Sequence, residues 1–476
     1  MGNRNQILLF FLFFQIFFSA KLHSQPNTLY FMKGIPQTKD LNPARPGIDD
    51  GFYFSMPGFS KIDLSANTNN WGYSDLIHKG MGQRADSLVF DLNKFTSALG
   101  ETNFINESTG FTFLEGGFKS GKNFFALSYT EKEVAELFFH KNLVKLINYG
   151  NYPYIGSSFR SGSFGINAQH YRELAFLFSR EMDKKITLGV SAKILFGLGA
   201  VHTNGLNFTV ASPPNGSYLD LTASGKADIS APVEFRYNGS GAVKSVTDDF
   251  EWKSYLTNFS NPGLAVDLGI SYRANKKLEL SASLIDIGII AWNDNTTRFN
   301  ELGQFRYKGI KIGDPTVSDL EDLVTQVSDS LNNKFSPAHS GKSFSTFLPI
   351  KLYLGGEYSF SDKISLAGLA RIRAFNNYLR TSFTASANML IWKGLSLSGT
   401  YSIMESTLDN LGAGIGFRGG PFQLYAASDN IFSPFYPSQA KNMNLRLGIN
   451  FIFSDRQKEI RGKTSKHGKK DCGCPY

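Results

Sequence analysis

Apolar and polar residues alternate one by one along many separate stretches of this chain, each about as long as the roughly ten residues a membrane-crossing β-strand needs. From 185 to 197, Ile186, Leu188, Val190, Ala192, Ile194 and Phe196 fall on one face, and Lys185, Thr187, Gly189, Ser191 and Lys193 on the other. The pattern returns at 350–360, with Ile350, Leu352, Leu354, Tyr358 and Phe360 set against Lys351, Gly355, Glu357 and Ser359. It returns again at 363–374, where Ile364, Leu366 and Ile372 oppose Lys363, Ser365, Arg371 and Arg373, and at 395–403. In the last stretch, 442–453, Met443, Leu445, Leu447, Ile449, Phe451 and Phe453 share a face. A side-chain period of two means strands, so the fold class is all-β.

Five short turn signals join strands: Asp183-Lys184-Lys185, Ala274-Asn275-Lys276-Lys277, Ser361-Asp362-Lys363, Trp392-Lys393-Gly394 and Gly419-Gly420-Pro421. Counting strands back from 442–453 puts all five at one end, while the long segments 69–109, 132–158, 239–262 and 292–346 fall at the other. That sorting is the rule of outer-membrane barrels, with short periplasmic turns and long outer loops. The reading is a transmembrane antiparallel β-barrel of about 14 strands, or about 16 if 206–212 and 218–237 also cross the membrane. Residues 51–58 could form a further strand, but parity would then put the N-terminus outside, so 25–58 read as an N-terminal lumen plug and 59–454 as the barrel. Short helices are expected in the outer loops. The stripes are Val317, Leu320, Leu323, Val324, Val327 and Leu331 in 316–332; Leu88, Leu92, Phe95 and Leu99; and Val134, Leu137, Phe138 and Val144.

Arg4 followed by the apolar run Ile7–Phe14 and then Phe17-Phe18-Ser19-Ala20 reads as a signal peptide over 1–24, too short to span a bilayer as a helix. No later run is long enough either, so a chain in a membrane must cross it as a closed barrel. Residues 455–476 form a basic tail, read as disordered and periplasmic, with Lys463, Lys466, Lys469 and Lys470 available to dock a partner. The two cysteines, Cys472 and Cys474, lie there and make no disulfide framework. With His467 they fall short of a closed zinc site.

Gly412, Gly414 and Gly416 suggest a nucleotide loop, but they alternate with Leu411, Ala413, Ile415 and Phe417 on a strand. Small residues facing a crowded lumen explain them better. Gly341-Lys342-Ser343 has Ser336 where a phosphate loop has glycine. The seven histidines are spaced without any nucleophile–base arrangement. The chain is therefore read as a non-enzyme with no cofactor, metal or nucleic acid. Lys193, Glu357, Arg371, Arg373, Arg418 and Arg446 fall on the predicted inward face. They either hydrate and cross-brace the interior or hold an anionic group.

Asn27-Thr28-Leu29-Tyr30-Phe31-Met32, Leu41-Asn42-Pro43-Ala44, the stretch Leu411–Tyr425 and Ser428-Asp429-Asn430 together resemble a Bacteroidota outer-membrane barrel family of unassigned function. Asn42-Pro43-Ala44 also resembles the N-terminus of FadL-type fatty-acid channels, which implies a plugged lumen and hydrophobic ligands. The C-terminal part is similar to the PorP/SprF barrels of type IX secretion and gliding, which implies a scaffold for periplasmic lipoproteins. The expectation is an outer-membrane barrel, surrounded by lipid, that passes or binds small hydrophobic or amphipathic molecules, the alternative being a non-transporting scaffold.

Overall fold

The computed structural model describes residues 27–453 except 70, 83–84, 151, 232–233, 238–242, 248–252, 254, 256, 301–302, 308–337, 376–377, 393 and 405–406. The expected signal peptide over 1–24, the stripe in 316–332 and the tail over 455–476 with Cys472 and Cys474 lie outside the described residues.

Fourteen antiparallel strands close into a barrel. They are β1 (51–68, in two pieces, Gly51–Ser55 and Lys61–Thr68), β2 (Thr102–Ser120), β3 (Asn123–His140), β4 (Ser158–Glu181), β5 (Ile186–Ala211), β6 (Asn261–Arg273) and β7 (Leu278–Trp292). The second half holds β8 (Ile350–Ser359), β9 (Ile364–Phe375), β10 (Tyr378–Trp392), β11 (Leu395–Met404), β12 (Thr407–Gly419), β13 (Phe422–Ser428) and β14 (Asn442–Phe453). Closure comes from β1, which pairs with β14 on one edge (Phe54↔Phe451, Leu64↔Leu445) and with β2 on the other (Tyr53↔Gly117, Ile62↔Phe111). No strand edge is left open to lipid at this seam, as a membrane wall requires.

The five turns share one end of the barrel, and local chemistry makes them tight. The Asp183 carboxylate accepts the backbone N–H of Lys185 and Ile186 at 2.6 and 2.7 Å, and Asn275 does the same for Lys277 and Leu278 at 2.8 and 3.0 Å. At the other end the strands are uneven: β13 has 7 residues and β5 has 26. The excess of β4 and β5 rises beyond the rim, where Leu219–Ser230 pairs with β5 and with the strands Thr296–Asn300 and Gly303–Tyr307. These segments add no wall strands, which settles the count at fourteen.

The outward face is apolar and exposed, with Leu264, Leu268 and Ile270 on β6 and Leu411, Ile415 and Phe417 on β12. Near the turn end, phenylalanines stack across the closing strands: Phe52 on Phe453 (4.9 Å), Phe54 on Phe451 (5.0 Å), Phe118 on Phe125 (5.2 Å) and Phe125 on Phe178 (5.1 Å). Rings in this position form an interface girdle and account for part of the chain's 43 phenylalanines. No helix among the described residues is long and apolar enough to cross a membrane.

Two expectations are corrected. Residues 51–55 are wall rather than plug, because hydrogen bonds to β14 and β2 satisfy their backbone on both edges. The helix expected around Val134–Val144 is strand as far as His140, since β3 stays paired with β2 and β4 over that length. Helix α2 (Lys141–Tyr149) begins only where the pairing ends. Helix α1 (Leu92–Ala98) falls within the Leu88–Leu99 stripe, and its Phe95 packs with Trp71, Phe139 and Val144.

Candidate functional site: the occupied lumen and its charged cavity

Residues 27–50 run inside the barrel. Two 3-10 turns shape this inner segment: Thr28–Phe31, and Pro36–Asp40 with Pro36 preset at its first position. Leu29, Tyr30, Phe31, Met32 and Ile35 are at most 4% exposed and form the largest apolar cluster, with Tyr353, Leu369 and Tyr425 from the wall.

The wall is shaped to receive this segment. Asp429, at the end of β13, accepts the backbone N–H of Asn27 at 3.0 Å and of Thr28 at 2.7 Å. A Cβ on Gly414 would stand 2.5 Å from Met32 Sδ, and one on Gly416 2.9 Å from Ile35 Cδ1. The glycines of β12 are therefore small because the inner segment fills the space. Asn42, fully buried, donates to the Tyr30 hydroxyl (3.0 Å) and to the carbonyls of Ile270 and Ala282 (both 3.3 Å), while its own Oδ1 accepts the Ala44 N–H at 2.9 Å. Pro43 passes Gly189 so closely that a Cβ there would meet its carbonyl carbon at 2.3 Å. A Cβ on Gly269 would likewise meet Asn42 Oδ1 at 2.3 Å, so the Asn42-Pro43-Ala44 element docks the segment by one Asx turn and two glycine gaps.

Charged side chains fill the rest of the lumen in linked groups. Lys39 bonds Asp40 at 2.6 Å and Glu115 at 2.9 Å, Lys61 bonds Asp40 at 2.5 Å, and Arg446 bonds Asp63. Burial alone would raise the Asp40 carboxyl, but Lys39 and Lys61 outweigh it and hold that group well below the ordinary carboxylate range. Across the lumen, Lys193 lies 2.7 Å from Asp267, 2.6 Å from Asp286 and 3.6 Å from Glu173. Glu173 also takes Lys132 at 2.7 Å, and Asp286 takes Lys351 at 2.5 Å. Asp286 sits at φ 62, where a bulge shifts the β6–β7 register between Val266 and Leu268, and its N–H donates to Asp267 at 2.7 Å. An aspartate in the left-handed region carries local strain, here held by three polar partners.

The inward positions singled out in the sequence separate into two layers. Lys193, Arg371, Arg373 and Arg446 line a cavity of about 150 Å³ between the inner segment and the rim end, with Val134, Tyr171, Leu177 and Ile285 as its apolar part. Arg373 and Arg380 share Glu136, and the Arg371 guanidinium stands 5.7 Å from the Tyr353 ring centre. Glu357 and Arg418 lie toward the turn end. Glu357 pairs with Arg45 (3.0 Å) and Lys33 (3.6 Å), and Arg418 donates to the Ile452 carbonyl at 3.2 Å beside a vestibule of about 980 Å³. Lys132, Glu173, Asp267, Asp286, Asp40 and Asp63 were not singled out. Their signal was a charge at an inward position of an alternating strand, and only the lumen assigns each its partner.

No curated protein matches this sequence. Among solved structures, the toluene transporter TbuX of Ralstonia pickettii aligns over 91% of this chain and 99% of its own, with 11% identity and a TM-score of 0.42. The toluene transporter TodX of Pseudomonas putida aligns over 91% and 95%, with 9% identity and a TM-score of 0.38. A FadL homologue of Pseudomonas aeruginosa aligns over 91% and 98%, with 10% identity and a TM-score of 0.36. Residues 44–429 match the family described as a family of unknown function, DUF5723, and with that match covering most of its length the chain belongs to this family.

Proposed function

We propose that the protein is exported to the bacterial outer membrane, with residues 1–24 as signal peptide, and that its barrel passes or binds small hydrophobic or amphipathic molecules. Within that class the amphipathic members fit better. The observation that carries this is the mixed lining of the lumen cavity, where Val134, Tyr171, Leu177 and Ile285 stand beside lysine, arginine and carboxylate side chains. An apolar body finds dispersion contacts on one side and a polar end finds hydrogen bonds on the other. The inner segment acts as a plug, separating this cavity from the vestibule at the turn end, so passage requires it to shift. The test is uptake of a fluorescent amphiphile by cells making the full-length protein and by cells making a variant lacking residues 27–46. Uptake above the empty-vector level, faster without the plug, supports channel function. Uptake at that level in both, with no amphiphile retained by the purified barrel, ends it.

A second reading is a non-transporting scaffold of type IX secretion or gliding machinery that binds periplasmic lipoproteins. It is favoured by how completely the inner segment packs, with Leu29, Ile35 and Asn42 at zero exposure. Co-purification of lipoproteins, lost on removing residues 455–476, would support it; a barrel that purifies alone with bound lipid would exclude it.

A further inference from the structure

β13 is the shortest strand of the wall, and the loop of residues 429–441 that follows it stands where the wall would otherwise continue. Phe422, at its start, meets Phe451 of the turn-end girdle at 5.9 Å. From Phe422 to Ser428 the strand climbs about 16 Å, at about 3.4 Å per residue and a tilt of about 40°, and β14 climbs about 23 Å between Phe451 and Asn442. The apolar band of an outer-membrane barrel is about 25 Å tall. The loop therefore leaves β13 inside that band and rejoins the wall near its upper limit. Two bonds hold it in the gap between β12 and β14: the Ile431 N–H donates to the Leu411 carbonyl at 2.8 Å, and Asn430 Nδ2 donates to the Asn442 carbonyl at 3.0 Å.

The chemistry of the loop suits that depth. No charged residue lies between Asp429, which is buried against the inner segment, and Lys441, whereas every other outer connector longer than ten residues carries charges. Phe432, Phe435 and Tyr436 are 51%, 77% and 59% exposed. Eight peptide N–H groups between Asn430 and Ala440 donate within the loop or to a flanking strand, and Pro434 and Pro437 carry none. A loop in water can leave such groups to solvent, but lipid offers them no partner.

We propose that this loop is a membrane-inserted patch. It sets Phe432, Phe435 and Tyr436 into the outer leaflet, at the boundary between head groups and acyl chains, and so continues the lipid-facing wall of Leu411, Ile415 and Leu424. Aromatic rings favour that boundary, so the patch forms the outer counterpart of the phenylalanine girdle at the turn end. The inference rests on the barrel standing in a bilayer, and it adds the outer leaflet as the partner of one loop.

The test attaches a nitroxide spin label to Phe435→Cys in the full-length protein, with Cys472→Ser and Cys474→Ser, reconstituted in phosphatidylcholine vesicles. Collisions with oxygen, which concentrates in the bilayer, are compared with collisions with a water-soluble nickel chelate. Leu264→Cys on the outward face of β6 is the lipid reference, and Ser217→Cys, exposed beyond the rim, is the water reference. The oxygen-to-nickel ratio at 435 should exceed that at 217 by at least about threefold, as an interfacial ring requires. A ratio equal to that at 217, with a lipid-like value at 264, overturns the inserted loop and leaves the barrel in the membrane. Shielding of 435 from both reagents overturns it in favour of a protein partner or a second copy. A water-like ratio at 264 overturns the membrane wall and the loop with it. Should Phe435→Cys fail to fold by heat-modifiability on gels, Tyr436→Cys takes its place with the same outcomes.

Discussion

The Asp429 carboxylate accepts the backbone N–H of Thr28 at 2.7 Å, joining residues 401 positions apart in the chain and fastening the first turn of the inner segment to the end of β13. A second bond, from the Asn27 N–H at 3.0 Å, makes the contact a fork that recognises backbone rather than side chain. Hydrogen bonds to a charged acceptor contribute about 1.5–3 kcal/mol each. Asp429→Ala should therefore free residues 27–33 while leaving the barrel closed. Hydrogen exchange read by mass spectrometry should show lost protection in that peptide and unchanged protection in β2–β6. Unchanged exchange at 27–33 would mean the apolar cluster alone holds the segment.

Gly414 leaves room for Met32. Gly414→Val places carbon where Met32 Sδ now lies, 2.5 Å from an added Cβ, and overpacking of this kind costs about 1–3 kcal/mol. The double variant with Met32→Ala should recover most of that loss. A thermal-unfolding cycle of the two single variants and the double reads the coupling, and additive losses would contradict direct packing.

Lys193 neutralises Asp267 and Asp286 at once. Lys193→Met leaves the buried Asp267 without its cation partner while Asp286 keeps Lys351, a loss of about 3–5 kcal/mol, whereas Lys185→Met in an exposed turn should change stability by less than about 0.5 kcal/mol. The midpoint of heat-modifiability on gels should fall for the first variant alone.

Asp40 links the inner segment to the wall through Lys61. Its carboxyl is held below the ordinary aspartate value by Lys39 and Lys61 against the opposing effect of burial. A depressed folded-state value means the stabilisation is complete above the unfolded value and is lost only as pH falls through the folded one. Protease protection of residues 33–50 should thus be the same at pH 7 and pH 5 and decline only below about pH 4. Asp40→Asn should remove the pair and lower protection at pH 7 as well. Protection already lost at pH 5 would assign the restraint to another group.

The wall was legible in the sequence to the extent that it rests on alternation. Ile186 to Phe196 and Leu445 to Phe453 face outward as their period requires, whereas Met443 at the start of that stripe is covered, and Gly412, Gly414 and Gly416 are small for the crowding their spacing implied. What escaped was non-local. Val134, Leu137 and Phe138 are spaced as on a helix, yet two neighbouring strands take up their backbone hydrogen bonds and keep them extended. Asp267 and Asp286 carry no local signal of their role, because nothing nearby in the chain says that one lysine of β5 will sit between them.

Sequence by itself determined an all-β chain with one apolar face per strand and short turns at one end, since side-chain period and turn chemistry act over a few residues. Tertiary structure alone decided how the lumen is occupied, that β1 starts at 51, and which charges pair across it. Those outcomes depend on closing a ring of fourteen strands, which sets residues hundreds of positions apart within hydrogen-bonding distance.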